Sequence, residues 1–265
     1  MTGSILYCGD TDLNGAAAYL SGLMASWGWS FEYVPSHVAI STKLVETPRS
    51  LLILSDYPVA QFGRDCQKLA LQQIENGCGI LMIGGWESYH GFGGNWDDSL
   101  LGSVLPVEIQ STDDRVNFDQ SAWLLPSFDH AITTGFPWLS SPPAIGGMNR
   151  VKAKTDASVI LQAHSLAVSA SLPADGAKTD VPAWSVSFRE TLPALVVGQF
   201  GLGRTAAFLS DVAPHWVGGF VDWGMPRVSA QAPDAGAIEV GGNYAKFWKQ
   251  LLKWTGRSSF SDCTT

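Results

Sequence analysis

The chain has 265 residues, which is enough for one large domain. Hydrophobic residues make up 46% of it and charged residues only 15%, a composition that excludes a disordered protein. Its net charge is −8 at pH 7 and no basic stripe is present, which argues against nucleic acid as a partner. No apolar run is long enough to span a membrane, and Met1-Thr2-Gly3-Ser4 has neither the basic region nor the apolar core that we would expect of a signal peptide. Because the four cysteines lack a disulfide framework spacing, we expect a cytoplasmic protein with reduced thiols.

The first hundred residues alternate between strand and helix patterns. Continuous apolar runs predict strands at residues 4–8, 31–34, 51–54 and 80–83. Apolar residues at helical spacing predict helices from about 12 to 27, capped by Asp10 or Asp12, and from about 61 to 76. Apolar strands separated by helices are typical of a parallel sheet with right-handed crossovers.

The patterns are weaker between residues 105 and 193. Short strand candidates lie at residues 107–109, 116–118, 151–153 and 159–161, and prolines, glycines and serines separate them. We interpret this region as a β-rich insertion within a single domain that spans residues 1–257. Regular patterns return with strands at 194–197 and 205–209, joined by a glycine hairpin turn, and with a helix at 243–254. The polar tail, 258–265, is predicted to be disordered.

Polar residues follow the predicted parallel strands. They are Asp10, Asp12, Asp56, Glu87, Ser88, His90, Asp211 and His215. Because parallel strands present their carboxyl ends at one edge of a sheet, we expect these side chains to converge there. Each also has a purely structural alternative. Asp211, for example, is suited to accept hydrogen bonds from backbone amides of the loop around Gly85.

Two kinds of site fit these residues. In the first, Ser88 is a nucleophile with His90 or His215 as its base, although the sequence lacks the glycine-flanked elbow that exposes such a hydroxyl. In the second, the Gly85 loop presents its amides, and the carboxylates and histidines bind a small polar ligand, such as a sugar or an amide, against Trp86 and Trp216. No spacing matches a metal or phosphate motif, so we predict neither a metal nor another cofactor.

Tryptophans are frequent in the predicted loops. They occur at Trp86, Trp96, Trp138, Trp216 and Trp223. Aromatic loops line a binding pocket, form an interface with a protein partner or a second copy of the chain, or fill a small core of their own. The sequence leaves these three alternatives open.

Three motifs in a fixed order carry a family resemblance. They are Gly84-Gly85-x-x-Ser88-Tyr89 with Gly93-Gly94 and Leu105-Pro106-Val107 behind it, Asp129-His130-Ala131-Ile132, and Gly201-Leu202-Gly203-Arg204 leading into Ser210-Asp211-x-x-Pro214-His215-Trp216. Together they resemble the class I glutamine amidotransferase-like superfamily, and more narrowly its cytoplasmic and ThuA-like members. The resemblance implies an α/β, flavodoxin-like three-layer sandwich with a mostly parallel sheet.

The sequence departs from the active members of this superfamily at the site of their chemistry. Active members hold a cysteine at the turn that follows the strand equivalent to residues 80–83, and a histidine and a glutamate complete a triad with it. Here Gly84 and Gly85 occupy that turn, and Trp216 and Val217 follow His215. We therefore expect an atypical member without cysteine-dependent glutaminase activity, which binds a small polar ligand or a protein partner at the carboxyl ends of the strands. The alternatives are a hydrolase or amidotransferase-like enzyme that uses Ser88, His90 or His215, and a homo-oligomeric assembly module.

Overall fold

The computed structural model describes residues 4–171, 182–257 and 260. Its strands are β1 (Ile5–Gly9), β2 (Phe31–Val34), β3 (Leu51–Ser55), β4 (Gly79–Ile83), β5 (Val107–Glu108), β6 (Arg115–Pro126), β7 (Ala144–Asn149), β8 (Lys152–Ala153), β9 (Ser158–Ser171), β10 (Ala183–Phe200), β11 (Gly203–Phe208), β12 (Arg227–Ala230) and β13 (Ile238–Gly241). Its α-helices are α1 (Ala17–Ser26), α2 (Thr42–Glu46), α3 (Arg64–Glu75), α4 (Leu100–Val104), α5 (Pro214–Val217) and α6 (Gly242–Thr255). Short 3₁₀ helices occupy Val59–Gln61 and Gly218–Asp222.

Nine strands form one central sheet in the order β2-β1-β3-β4-β11-β10-β9-β6-β7. The strands from β2 to β11 pair in parallel, and those from β11 to β7 pair antiparallel. Helices α1 and α6 pack with the β12–β13 hairpin, whereas α3 packs with α2 and α4. Every residue of β1, β3 and β4 is buried, which requires cover on both faces of the sheet. The fold is therefore a three-layer α/β sandwich, as predicted.

The predicted strands of the parallel half agree with the structure to within one residue. The prediction for β2 is identical, and β1, β3 and β4 differ by a single residue at one or both ends. The predicted capping of the first helix is wrong. Helix α1 begins only at Ala17, after Ala16, with no side-chain cap, because Asp12 instead accepts a hydrogen bond from the amide of Asn14 (2.7 Å).

The antiparallel half is more regular than the sequence indicated. Strands β6, β9 and β10 contain 12, 14 and 18 residues, so the short predicted strands at 116–118, 159–161 and 194–197 are only segments of them. Strand β7 was not predicted. The region expected to be an insertion thus extends the same sheet, because its strands continue the hydrogen-bonding from β11 outward.

Most of the loop tryptophans fill a core. Trp96, Trp138, Trp216 and Trp223 are all buried. The rings of Trp138 and Trp223 lie 4.6 Å apart, and Phe136 stacks on Trp223 at 5.2 Å. Trp86 differs, since 47% of its surface is exposed. Trp96, Trp138 and Trp223 belong to the main hydrophobic core rather than to a separate one, and Trp216 is buried outside that cluster.

The tail that the sequence predicts to be disordered lies outside the described residues, apart from Phe260. The ring of Phe260 stacks on that of Trp29, with the centroids 4.7 Å apart. Among the described helices, none combines the length and apolarity needed to cross a bilayer.

Candidate functional site

Two aspartates follow parallel strands in an uncommon backbone conformation. Asp10 comes directly after β1 with φ 50°, and Asp56 directly after β3 with φ 48°. Residues other than glycine seldom adopt this left-handed region, but aspartate does so more readily than most. The amide of Asp10 donates a hydrogen bond to the carbonyl of Ser55 (2.8 Å), which ties the two strand ends together. Both carboxyl groups are thereby held at the carboxyl edge of the parallel strands.

Asp211 reaches the same edge from β11. Its Oδ1 accepts hydrogen bonds from the amides of Val212 (2.6 Å) and Ala213 (3.1 Å), immediately before α5. Asp211 thus binds amides of its own segment rather than those of the Gly85 loop. We call Asp10, Asp56 and Asp211 the carboxylate cluster.

The members of the carboxylate cluster influence one another's pKa. Burial, followed by the charges of Asp211 and Asp56, raises the pKa of Asp10 well above its ordinary value. Burial, followed by the charge of Asp56, raises the pKa of Asp211 to about 7. Burial also raises the pKa of Asp56, although the Glu87 amide and His215 oppose that shift. None of the three aspartates forms a salt bridge within the described ranges.

Asp10 and Asp56 of the carboxylate cluster each accept a hydrogen bond from a neighbouring segment. The hydroxyl of Tyr7, on β1, donates to Oδ2 of Asp10, and the amide of Glu87 donates to Oδ1 of Asp56. Glu87 is half-buried, and its own pKa is raised by burial and then by Asp56. In the part of the chain that the structure describes, no group of three or more His, Cys, Asp or Glu residues is arranged to hold a metal ion.

The turn after β4 has no room for a side chain at Gly84 or Gly85. A Cβ atom at Gly84 would lie 2.3 Å from the carbonyl oxygen of Leu209, and one at Gly85 would lie 2.5 Å from Oδ1 of Asp56. Asn149 fixes the turn, since its Oδ1 accepts from the amide of Gly85 (3.0 Å) and its Nδ2 donates to the carbonyl of Gly85 (3.1 Å). A cysteine at either glycine would therefore require the backbone or the carboxylate cluster to move.

The three described cysteines lie elsewhere and are all buried. Burial raises the pKa of Cys78 to about 12, and its sulfur donates to the carbonyl of Gly79 (3.3 Å) at the amino end of β4. Five strand residues, roughly 16 Å, separate that end from the turn at Gly84. Burial also raises the pKa values of Cys8 and Cys66. A nucleophilic thiolate needs a lowered pKa, so none of these thiols has the properties of one.

The Ser88 side chain is buried, and its hydroxyl is hydrogen-bonded to backbone atoms. Its hydroxyl donates to the carbonyl of Ile83 (2.5 Å) and accepts from the amide of Asp56 (2.9 Å). Its predicted partner His90 instead pairs through Nδ1 with Oδ1 of Asp97 (2.9 Å). The geometry therefore provides Ser88 with a structural role at this turn, and its proton is not directed to an imidazole.

An exposed aromatic surface lies beside the carboxylate cluster. Trp86 and Phe92 are 47% and 70% exposed, and the guanidinium carbon of Arg115 lies 4.3 Å and 5.0 Å from their ring centroids. The imidazole of His215 meets the Trp86 ring edge to face, with centroids 6.2 Å apart. We call these four residues the platform. His215 also influences the pKa of Asp56, so the platform and the cluster are neighbours.

Trp216 does not belong to the platform. It is buried, and its indole Nε1 donates to Oδ1 of Asn117 (2.8 Å). The structure therefore does not support the predicted contact of Trp216 with a ligand, because its ring packs inside against Gly147. Sequence reasoning missed Asn149, Arg115 and Phe92.

The sheet, its two helical layers and the glycine turn at the strand edge define an α/β protein of the class I glutamine amidotransferase-like, flavodoxin-like type. Residues 49–230 match the profile of the family described as "Putative glutamine amidotransferase", and the chain belongs to this family. Curated protein sequences gave no significant match.

Solved structures support the same fold. Cytoplasmic Protein STM3548 from Salmonella typhimurium is 22% identical over 95% of this chain and 98% of its own, with a TM-score of 0.68. Cytoplasmic Protein STM1381 from Salmonella typhimurium LT2 is 22% identical over 95% and 99%, with a TM-score of 0.69. A ThuA-like protein from Parabacteroides merdae is 10% identical over 100% and 93%, with a TM-score of 0.55.

Proposed function

We propose that this chain is an atypical cytoplasmic member of its family that binds a small polar ligand at the carboxyl edge and does not hydrolyse glutamine through a cysteine. One observation carries the proposal. The turn at Gly84 and Gly85 has no space for a side chain, since a Cβ atom at either would lie 2.5 Å or less from a neighbouring oxygen. The described thiols are buried and their pKa values are raised, which supports the same conclusion.

The carboxylate cluster and the platform suggest the chemistry of the ligand. Burial raises the pKa of Asp211 to about 7, so its carboxyl group is protonated more readily than that of an ordinary aspartate and can donate as well as accept a hydrogen bond. Adjacent hydroxyl groups or a primary amide offer both donors and acceptors. A flat apolar face on the same ligand would pack against the exposed ring of Trp86. A sugar or a carboxamide meets both requirements.

Ligand binding is tested by thermal-shift measurements against neutral monosaccharides and carboxamides, glutamine among them. We expect at least one compound to raise the melting temperature of the wild-type protein. The shift should be lost in Trp86→Ala and in Asp56→Asn. Phe128→Ala is the matched control, because Phe128 is 48% exposed but lies outside the platform. Shifts that survive both site variants would contradict the assignment of the site.

Catalysis is tested separately by measuring ammonia release from glutamine and hydrolysis of simple esters. We expect no glutaminase activity above background in the wild-type protein or in Cys78→Ala. Glutaminase activity that disappears in Cys78→Ala would overturn the proposal. Ester hydrolysis that disappears in both Ser88→Ala and His215→Ala would instead support the hydrolase alternative.

A further inference from the structure

The outer parts of β9 and β10 form a two-stranded extension of the sheet. β6 pairs with β9 only as far as Ser165, and β11 pairs with β10 only from Leu195 onward. Beyond those points β9 and β10 pair with each other, from Leu166 opposite Phe188 to Ser171 opposite Ala183. We call residues 166–171 and 183–188 the ribbon. Two strands without neighbours gain little stability of their own, so cover from another surface would stabilise the ribbon.

The ribbon has one apolar face. Residues directly opposite each other in antiparallel strands share a face, and alternate residues along a strand return to it. One face therefore consists of Leu166, Val168, Ala170, Trp184, Val186 and Phe188, and the other of Ala167, Ser169, Ser171, Ala183, Ser185 and Ser187. On the apolar face Trp184, Val186 and Phe188 are 66%, 52% and 51% exposed.

Aromatic side chains continue this face onto the body of the sheet. The ring of Phe188 lies 4.9 Å from His164 and 6.0 Å from Trp123. His164 is opposite Trp123 in the β6–β9 pairing, so both lie on the face that carries Phe188. The apolar face thus begins on the packed sheet and extends outward along the ribbon.

The charge pattern points to a second copy of this chain as the occupant. The chain carries a net charge of −8, so two copies repel each other across most of their surfaces. The ribbon contains no charged residue. At its base the charges are paired internally, Arg150 with Glu190 (2.7 Å) and Arg189 with Asp119 (2.9 Å). On such a surface two like-charged copies can meet with less repulsion than elsewhere.

We propose that the ribbon is a dimerisation arm, with its apolar face packed against the same face of a second copy across a two-fold axis. Identical faces meeting in this way form a closed, isologous interface, and packed sheets of this kind lie about 10 Å apart. The three exposed side chains contribute roughly 300 Å² per copy, which is less than the roughly 800 Å² per partner of a standard stable interface. We therefore expect a reversible dimer that dissociates on dilution.

Sedimentation velocity of the full chain over roughly 1–200 μM tests this proposal, since dilution across that range shifts a reversible dimer toward monomer. We expect wild type to pass from 28.4 kDa to twice that mass as concentration rises. The double variant Trp184→Asp with Val186→Asp should bind at least about 100-fold more weakly, because four buried carboxylates would meet at the interface. The matched control, Ser185→Asp with Ser187→Asp, changes the opposite face of the same strand and should dimerise like wild type.

Circular dichroism of each variant establishes that it remains folded, and Trp184→Ser replaces the double variant if that one unfolds. Three results would overturn the proposal. They are a monomeric wild-type protein at every concentration, a trimer or larger assembly, or equal dissociation in the apolar-face and serine-face variants.

Discussion

The parallel half of the sheet and the ribbon differ in how much surface they leave available. Strands β1, β3 and β4 are buried at every residue, so only the segments that follow them can reach the surface. The ribbon is the reverse, because residues 183–188 of β10 are all exposed. The comparison teaches that a strand covered on both faces can contribute function only at its ends, whereas an uncovered ribbon offers a whole face. Our two proposals accordingly assign a ligand to the ends and a second copy to the face.

The sharpest contrast between the halves should come from glycine substitutions. A Cβ atom at Gly9, where φ is +142°, would lie 1.5 Å from the carbonyl oxygen of Ser55. We expect Gly9→Ala to lower the free energy of unfolding by more than about 4 kcal/mol or to prevent folding. Gly146→Ala, in β7, meets nothing nearer than 3.4 Å and should change it by less than about 1 kcal/mol. Urea denaturation measures both, and equal losses would contradict the contrast.

The carboxylate cluster should make the parallel half sensitive to pH. The pKa of Asp211 is about 7 in the folded protein, above its ordinary value of 3.8. The native state therefore retains a proton that the unfolded chain has released, and the free energy of unfolding falls as pH rises from about 4 to 7. The interval of roughly 3 pH units corresponds to at most about 4 kcal/mol.

Asp211→Asn keeps the acceptor for the two backbone amides and removes the charge. We expect the variant to gain stability over wild type as pH rises through this window, and to show little advantage near pH 4. Denaturation at several pH values measures the difference. A difference that is constant with pH would show that Asp211 is ionised in the native state throughout.

A smaller effect should separate two serines. Ser88→Ala removes a buried hydroxyl that joins the carbonyl of Ile83 to the amide of Asp56. We expect a loss of about 1–3 kcal/mol, because the amide and the carbonyl are left without this partner. Ser187→Ala on the exposed face of the ribbon should change stability by less than about 0.5 kcal/mol. Comparison of the two denaturation midpoints tests the pair, and a neutral Ser88→Ala would remove its structural role.

The smallest effect is expected for a surface ion pair of the antiparallel half. Arg150 and Glu190 are joined by two hydrogen bonds, 2.7 Å and 2.9 Å long, but both side chains are about two-fifths exposed. Glu190→Gln should cost less than about 1 kcal/mol, and added salt should reduce that cost further. Thermal unfolding at low and high ionic strength measures it, and a large salt-independent loss would mean that the pair is effectively buried.

The parallel half could be predicted from sequence because its strands are continuous apolar runs. Residues 51–54 and 80–83 need no periodicity to be recognised, since both of their faces are buried. The antiparallel half was underestimated for the opposite reason. In β10 the alternation of Trp184, Val186 and Phe188 with serine is typical of a strand, but its serines resemble a loop in composition. β7 contains two adjacent glycines, which weaken any strand pattern.

The same difference explains which residues of the candidate site could be predicted. Sequence alone predicts that Asp10, Asp56 and Asp211 lie close together, because topology brings the ends of parallel strands to one edge. Asn149 and Arg115 come from β7 and the start of β6, where no strand or only a short one was predicted, so nothing placed them near the glycine turn. Trp216 was misplaced because sequence does not reveal whether a loop aromatic faces solvent or the core.

The exposed indoles of Trp86 and Trp184 have a practical consequence. One lies on the platform and the other on the ribbon, so each proposed surface has its own intrinsic fluorophore within reach of solvent. The chain has 11 tryptophans, so the contribution of each exposed indole is obtained by comparing acrylamide quenching of the wild-type protein with that of Trp86→Phe and of Trp184→Phe. Shielding by a small molecule should then alter the difference that Trp86 makes, and shielding by self-association the difference that Trp184 makes.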